Sequence, residues 1–262
     1  MTDTIRATAG EGIAVIALSR PDKLNAVNAA MHAELRTALD AAENDAAVRC
    51  VVLTGEGRAF SSGQDLTEEL PRGADGRLDL GTALDRDYNP LIERLYNFPK
   101  VTIAALNGPA VGASLNIALA CDIVVAARSA YLQEAFARIA LVPDAGGTWF
   151  LPRMAGSKRA LALMLTADQV GAEEAERIGL VYKVFDDEKF MAETMGLAKR
   201  LAAGPHAAYR MIKQAARASG ANDLKAQLAL ERDLQREAGR SRDFIEGVTA
   251  FREKRAPKFE GK

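Results

Sequence analysis

NGPAVGASLNIALACD, residues 107–122, decides the fold. The apolar run ahead of it, VTIAAL at residues 101–106, reads as a buried strand. Asn107-Gly108-Pro109 breaks that strand. Gly112, Ala113 and Ser114 then open a helix that carries Leu115, Ile117, Ala118 and Leu119 into a core. The first turn of a helix has free backbone N–H groups and a partial positive charge. Small residues there let a ligand oxygen come close. The stretch is therefore either an anion or oxyanion site, or a tight strand-to-helix turn whose small residues serve packing.

Upstream, IAVIAL at 13–18 and CVVLT at 50–54 read as strands, with a helix over 28–45 between them. Asn28 caps that helix, and Met31, Leu35 and Leu39 share one face. Strand, helix, strand is the order of a crossover unit. The loop GEGRAFSSGQDL, residues 55–66, is no P-loop, because no Gly-Lys-Ser/Thr follows, and its glycine spacing is wrong for a dinucleotide fingerprint. Residues 68–81, rich in charge and glycine, are expected to form a mobile loop. A helix over 82–97, with Leu84, Tyr88, Leu91 and Leu95 at helical spacing, ends at Pro99.

Downstream, short strands are expected at 123–127 and near Tyr131. The turn Pro143-Asp144-Ala145-Gly146-Gly147 leads into a short helix through Met154. Ser157 is expected to cap a helix over 158–165. A helix over 173–178, a strand over 181–185 and a helix over 189–203 follow, the last closed by Gly204-Pro205. Helices over 206–218, 224–236 and 241–251 complete the chain. The expectation is an α/β core over 1–200 and a helical region over 201–262.

The 262 residues are 48% hydrophobic and 26% charged, an ordinary globular composition. A net charge of −1 argues against a nucleic-acid or membrane-surface protein. The two cysteines, Cys50 and Cys121, suggest neither a metal site nor a disulfide framework. Met1-Thr2-Asp3-Thr4 begins no signal peptide and no apolar run reaches membrane-spanning length, so a cytoplasmic protein is the default. His32 and His206 lie outside the glycine-rich turns and are read as surface or packing residues. HExxH and Gly-x-Ser-x-Gly are both missing, so zinc and serine hydrolases lack their parts. Three places remain for chemistry: Ser62-Gly63-Gln64-Asp65, Gly112-Ala113-Ser114 and Asp144. Taken singly, Asp65 and Asp144 read as turn or capping aspartates.

Taken in order, these stretches resemble the crotonase family, the enoyl-CoA hydratase/isomerase superfamily. The resemblance runs through Leu18-Ser19-Arg20-Pro21, Leu24-Asn25-Ala26, Val52-Leu53-Thr54-Gly55, Ala59-Phe60-Ser61-Ser62-Gly63-Gln64-Asp65-Leu66, Ala105-Leu106-Asn107-Gly108, Ala120-Cys121-Asp122-Ile123 and Pro143-Asp144-Ala145-Gly146-Gly147-Thr148. It implies a ββα-repeat spiral core and a helical C-terminal trimerisation region, giving a homotrimer or a dimer of trimers. It implies an acyl-CoA substrate whose thioester carbonyl is held by the backbone N–H groups of Gln64 and Ala113. Deprotonation beside a thioester makes an enolate whose charge collects on that oxygen, and each preformed donor is worth about 3–4 kcal/mol. The resemblance places adenine near Lys23-Leu24-Asn25 and the stretch from Phe60 to Leu66, which includes Ser62 and Asp65, and the CoA phosphates near basic residues such as Lys254. No metal and no separate cofactor are implied, since coenzyme A belongs to the substrate.

Hydratases of this family use two glutamates, at positions where this chain has Asn116 and Phe136. Phe136 moves no proton and Asn116 offers only hydrogen bonds. Glu134 lies two residues from Phe136 and would matter if the alignment slipped. Asp144 stands where some isomerases of the family carry a catalytic aspartate and a dehalogenase branch a nucleophilic one. A single carboxylate suffices for a 1,3-proton shift, and Asn116 and Phe136 make a drier pocket around it. The branch that isomerises 1,2-epoxyphenylacetyl-CoA to oxepin-CoA is matched further at Asp87-Tyr88-Asn89-Pro90-Leu91, Val142 to Trp149, Leu230-Glu231-Arg232-Asp233, Ala238-Gly239-Arg240-Ser241 and residues 251–262. The expected function is an acyl-CoA isomerase, acting on that epoxide or shifting enoyl-CoA double bonds. The alternatives are an enoyl-CoA hydratase and, from another class, a non-catalytic CoA-binding scaffold.

Overall fold

Cys50–Gly55 and Val101–Leu106 are buried at every residue, as strands covered on both faces must be. In the computed structural model, which describes residues 3–69 and 71–261, they are β3 and β4. Met1, Thr2, Leu70 in the 68–81 loop and Lys262 at the C-terminal match lie outside the described residues. The other strands are β1 (Ile5–Gly10), β2 (Ile13–Leu18), β5 (Ala110–Val111), β6 (Ile123–Ala127), β7 (Tyr131–Gln133), β8 (Val170–Gly171) and β9 (Lys183–Phe185). The large sheet has the order β1-β2-β3-β4-β6-β9, parallel except for the β1–β2 hairpin. A second sheet has the order β5-β7-β8.

The helices are α1 (Ala29–Asn44), α2 (Leu80–Ala83), α3 (Asn89–Tyr96), α4 (Ala113–Leu119), α5 (Gly147–Ala155), α6 (Ser157–Thr166), α7 (Ala172–Arg177), α8 (Phe190–Ala202), α9 (His206–Ala218), α10 (Leu224–Ala238) and α11 (Arg242–Glu253). From β4 onward the chain alternates: β4 joins the large sheet, β5 the small one, and α4 crosses back to β6 and β7. α4 is buried along its whole length. It is the axle on which the loops of both sheets converge.

The structure corrects the sequence reading in several places. β1 was not expected, because only Ile5 in it is buried and an edge strand facing water loses its apolar alternation. It is tied to β2 by Glu11 and Gly12, both at positive φ, as a tight hairpin requires. β5 and β8 are too short to show a pattern. Ser157 caps nothing: Gly156 at φ 80° is the cap and Ser157 is the first helical residue. The helix expected from 82 begins at Leu80, capped by Asp79, which accepts from Thr82 N at 3.2 Å. It passes through a π turn, Leu84–Tyr88, before α3. π turns re-aim the side chains that follow, and here Tyr88 is turned inward to 4% exposure.

Asp122, between α4 and β6, ties α9 to the sheet. Its Oδ2 accepts from Thr102 N at 2.8 Å and from Lys213 Nζ at 2.6 Å, and its Oδ1 from Arg217 Nη2 at 2.7 Å. Lys213 Nζ donates further to the carbonyls of Phe98 and Lys100. The cluster is half-buried, and removing one partner of such an ion pair strands the other charges. Asp122→Ala is expected to cost about 3–5 kcal/mol in urea unfolding. A loss below about 1 kcal/mol would show that α9 is held by apolar packing instead.

Candidate active site

Two glycines set the geometry. Gly63 has φ 94°, and a Cβ there would stand 2.9 Å from the Val111 carbonyl oxygen. Only glycine allows this loop to lie against β5 in that conformation. The same Cβ would be 4.0 Å from Ala113 N, so the loop meets the start of α4. Gly112, at φ 57° and ψ −133°, makes the entry turn into α4. Its N–H donates to the Gln133 carbonyl at 2.8 Å and its own carbonyl accepts from Asn116 N at 3.3 Å.

The loop is stitched on both sides. Val27 N donates to Gly63 O and Asp65 N to Val27 O, each at 2.8 Å. Ser61 N donates to Pro109 O and Val111 N to Ser61 O, each at 3.0 Å. The Ser114 hydroxyl, fully buried, shares its proton between the carbonyls of Ser61 and Val111. Between these bonds the N–H groups of Gln64 and Ala113 are left over, as are those of Ser114 and Leu115 in the first turn of α4. Among the described residues, neither Gln64 N–H nor Ala113 N–H donates to a protein acceptor.

Asp144 is brought to α4 through its backbone. Asn116 Nδ2 donates to the Asp144 carbonyl at 2.9 Å, and Gly147 N donates to the same oxygen at 2.9 Å. A Cβ on Gly147 would collide with the Asn116 amide, so glycine is needed for that close packing. The Asp144 carboxyl is only partly exposed, and its Oδ1 is buried without a hydrogen-bond partner. Burial pushes it up from 3.8 to about 6. An unpaired carboxylate of that basicity is suited to taking a proton near neutral pH.

Two buried groups, Tyr88 and Glu134, feel its charge, and His32 packs behind the first. Tyr88 OH donates to Gln64 Oε1 at 2.5 Å. Burial first, and then the charge of Asp144, push the phenol up, so it remains a donor. His32, 2% exposed, packs edge-on against Tyr88 with ring centroids 4.4 Å apart. Neither of its ring nitrogens has a partner, and burial pushes it down to about 4. It is a neutral packing residue, so of the two expectations for it the surface one fails. Glu134 is 2% exposed.

The structure brings most of the expected residues together and assigns several to support. Lys23 ends a short 3-10 turn, and Ser62 N donates to Leu24 O at 2.9 Å, so the Lys23-Leu24 strap lies on the Gln64 loop. Leu66 is 59% exposed beside it. Phe60 is fully buried and anchors the loop in the core, presenting no ring to a ligand. Asp65 is committed to the protein: Oδ1 accepts from Thr67 and Oδ2 from Arg20 Nη2 at 2.8 Å. The Thr67 hydroxyl above all, with Arg20, holds its carboxyl down near 2. Asn116 supports the Asp144 turn, and Phe136 packs 3.8 Å from where a Cβ on Gly112 would be. Lys254 caps the end of α11 at φ 53°, and no hydrogen bond among the described residues joins it to the Gln64 loop.

Sequence reasoning missed Tyr88 as a polar group of the site, since it read that residue as one member of a helical face. Beside the Asp144 turn a cavity of about 400 Å³ is lined by Ile92, Tyr96, Gly146, Trp149 and Phe150. A larger cavity, about 610 Å³, lies far from this chemistry, between α9 and α10. Among the described residues no group of His, Cys, Asp and Glu has the arrangement of a metal site, and no helix is long and apolar enough to cross a membrane.

The model of the enoyl-CoA hydratase/isomerase family matches residues 8–262. A probable enoyl-CoA hydratase of Rhodobacter capsulatus is 51% identical over 259 residues, 99% of this chain and 98% of that protein. The 1,2-epoxyphenylacetyl-CoA isomerase of Escherichia coli is 45% identical over 262 residues, the full length of both. Among solved structures, an enoyl-CoA hydratase from Bacillus anthracis superposes with a TM-score of 0.92 at 31% identity, covering 99% of this chain and 100% of that one. The chain has the crotonase fold and belongs to the enoyl-CoA hydratase/isomerase family of enzymes.

Proposed function

We propose that this enzyme isomerises an acyl-CoA, with Asp144 moving the proton and the N–H groups of Gln64 and Ala113 holding the thioester oxygen. The observation that carries this reading is the Asp144 carboxyl, unpartnered and half-buried, on a turn bonded to Asn116 one helical turn from Ala113. Two N–H donors aimed at one oxygen stabilise an enolate. Asp144 takes a proton from one carbon and returns it to another on the same face, while Tyr88 holds the Gln64 side chain out of the way. Coenzyme A enters as part of the substrate, against the Lys23-Leu24 strap, with Lys254 available to its phosphates.

For the acyl group we favour the aryl epoxide named for the Escherichia coli relative, 1,2-epoxyphenylacetyl-CoA, isomerised to oxepin-CoA in phenylacetate catabolism. Its chemistry needs one base and a stabilised enolate, and water is a hindrance. A second reading, hydration, is favoured by the name of the Rhodobacter capsulatus relative. Against it stand Asn116 and Phe136, which cannot position and activate water as a pair of carboxylates does. A purely CoA-binding scaffold would have no use for an unpaired aspartate at a free oxyanion site. The working form is a cytoplasmic homotrimer or a dimer of trimers. Leu224 and Leu228 on α10, and Phe244, Ile245 and Phe251 on α11, are exposed apolar residues that such an assembly would cover.

Asp144→Asn keeps the size and removes the base. Turnover of a 3-enoyl-CoA or of the epoxide is expected to fall at least about hundredfold, with CoA affinity kept. Because the base must be ionised and its carboxyl sits near 6, wild-type turnover should decline as pH falls through that value. Near-normal turnover in the mutant would end the assignment.

Hydration supplies a separate check. Wild-type enzyme should add water to crotonyl-CoA at least about tenfold more slowly than it shifts a 3-enoyl-CoA double bond. Comparable rates would favour the hydratase reading.

A further inference from the structure

The peptide unit joining Gly63 to Gln64 carries one of the two N–H groups proposed above for the thioester oxygen. One edge of that unit is fixed: its carbonyl, Gly63 O, accepts from Val27 N at 2.8 Å. The other edge, Gln64 N–H, donates to no protein acceptor among the described residues. Gly63, at φ 94°, brings no side chain to restrain the unit, and glycine adopts many backbone conformations at little steric cost. Restraint on the direction of the N–H therefore falls on the Gln64 side. There the next peptide is bonded, Asp65 N to Val27 O at 2.8 Å, and the Gln64 side chain is bonded at both ends of its amide. Nε2 donates to the Asp65 carbonyl at a long 3.4 Å, while Oε1 accepts from Tyr88 OH at 2.5 Å. The Tyr88 bond is the shorter of the two, and it is the one that reaches outside the loop.

Tyr88 is itself held from α1. The π turn Leu84–Tyr88 turns it inward to 4% exposure, and His32 of α1 packs against its ring with centroids 4.4 Å apart. Next to it on the same turn, Asp87 pairs with Arg86 at 2.7 Å and with Arg36 of α1 at 3.5 Å. The hydroxyl is thus placed by groups that do not belong to the Gln64 loop. Burial, and then the charge of Asp144, keep the phenol protonated, so it remains a donor.

The geometry points to Tyr88 as a positioning residue: its hydroxyl, bound to Gln64 Oε1, sets the direction of the Gln64 N–H at the thioester oxygen. The inference rests on the oxyanion role of that N–H proposed above. A backbone donor stabilises an enolate best when it is aimed before the charge develops. Without the phenol, Oε1 loses its donor, the amide turns to find another, and the peptide at Gly63 gains freedom. The loss falls on kcat, because a misdirected N–H matters most when the oxygen carries charge.

Tyr88→Phe keeps the ring against His32 and removes only the hydroxyl. With a 3-enoyl-CoA its kcat should fall about tenfold, a part of the roughly 10²–10³ that a whole oxyanion donor is worth, with KM within about threefold of wild type. Gln64→Ala should fall by a similar factor, and adding Tyr88→Phe to it should cost less than about twofold more, since the hydroxyl acts through that side chain. Infrared spectra of bound butyryl-CoA, isotope-labelled at the carbonyl carbon, read the oxyanion site without turnover. In wild type the thioester carbonyl band should lie below its position in water. Tyr88→Phe and Gln64→Ala should each move it part of the way back. The inference alone is overturned if the band is shifted in wild type and unchanged in Tyr88→Phe, or if the two substitutions lower kcat independently. A band unshifted from water in wild type would overturn the oxyanion site and this inference together.

Discussion

The close approach of the Gly63 loop to β5 is the constraint on which the site depends. A side chain at Gly63 would press into the Val111 carbonyl, and the loop would have to retreat from α4. Everything that gives the site its character is held by this contact. Val27, Ser61 and Ser114 saturate most of the neighbouring backbone acceptors and donors, and the N–H groups of Gln64 and Ala113 are among the donors left free where the loop meets α4. Their freedom is a consequence of how completely the rest of the loop is bonded. Preorganised donors need no rearrangement when charge develops on a bound oxygen, which is why the proposed function uses backbone N–H groups there.

Burial then decides which protonation states the site contains. Asp144 is desolvated enough to become a usable base, while Glu134, deeper and beside it, is pushed further. Two carboxyls whose environments separate their basicities can hold different roles. Tyr88 and His32 belong to the same desolvated cluster, and both stay neutral there. A hydratase would need this region wet. In the proposed isomerisation, Phe136 against Gly112 and the buried Asn116 amide would serve to keep water out of it.

Much of this was legible in the chain because it depends on short, chemically restrictive stretches. Gly63 and Gly112 need glycine for backbone reasons, since both stand at positive φ, and such needs survive in sequence. The buried runs of β3 and β4 are equally plain. What was not legible depends on distant partners. Asp65 looks the same as a ligand-facing carboxylate and as an anchor until Arg20 is seen 2.8 Å away. Tyr88 looked like one member of an apolar helical face, because a π turn leaves no periodic trace in the residues that form it. β1 was hidden by exposure, and Ser157 lost its expected capping role to Gly156, whose φ of 80° makes the turn first. The resemblance in ordered motifs led to the family, while the support given to Asp144 by Asn116 and Gly147 emerged from packing.

The central claim is that the N–H groups of Gln64 and Ala113 receive the thioester oxygen beside Asp144. A crystal structure of Asp144→Asn with a bound 3-enoyl-CoA measures this directly. The account predicts the thioester oxygen at about 2.7–3.1 Å from both nitrogens, with the residue-144 side chain over the carbon next to the thioester. A thioester oxygen bonded elsewhere, or residue 144 turned away from that carbon, would contradict it.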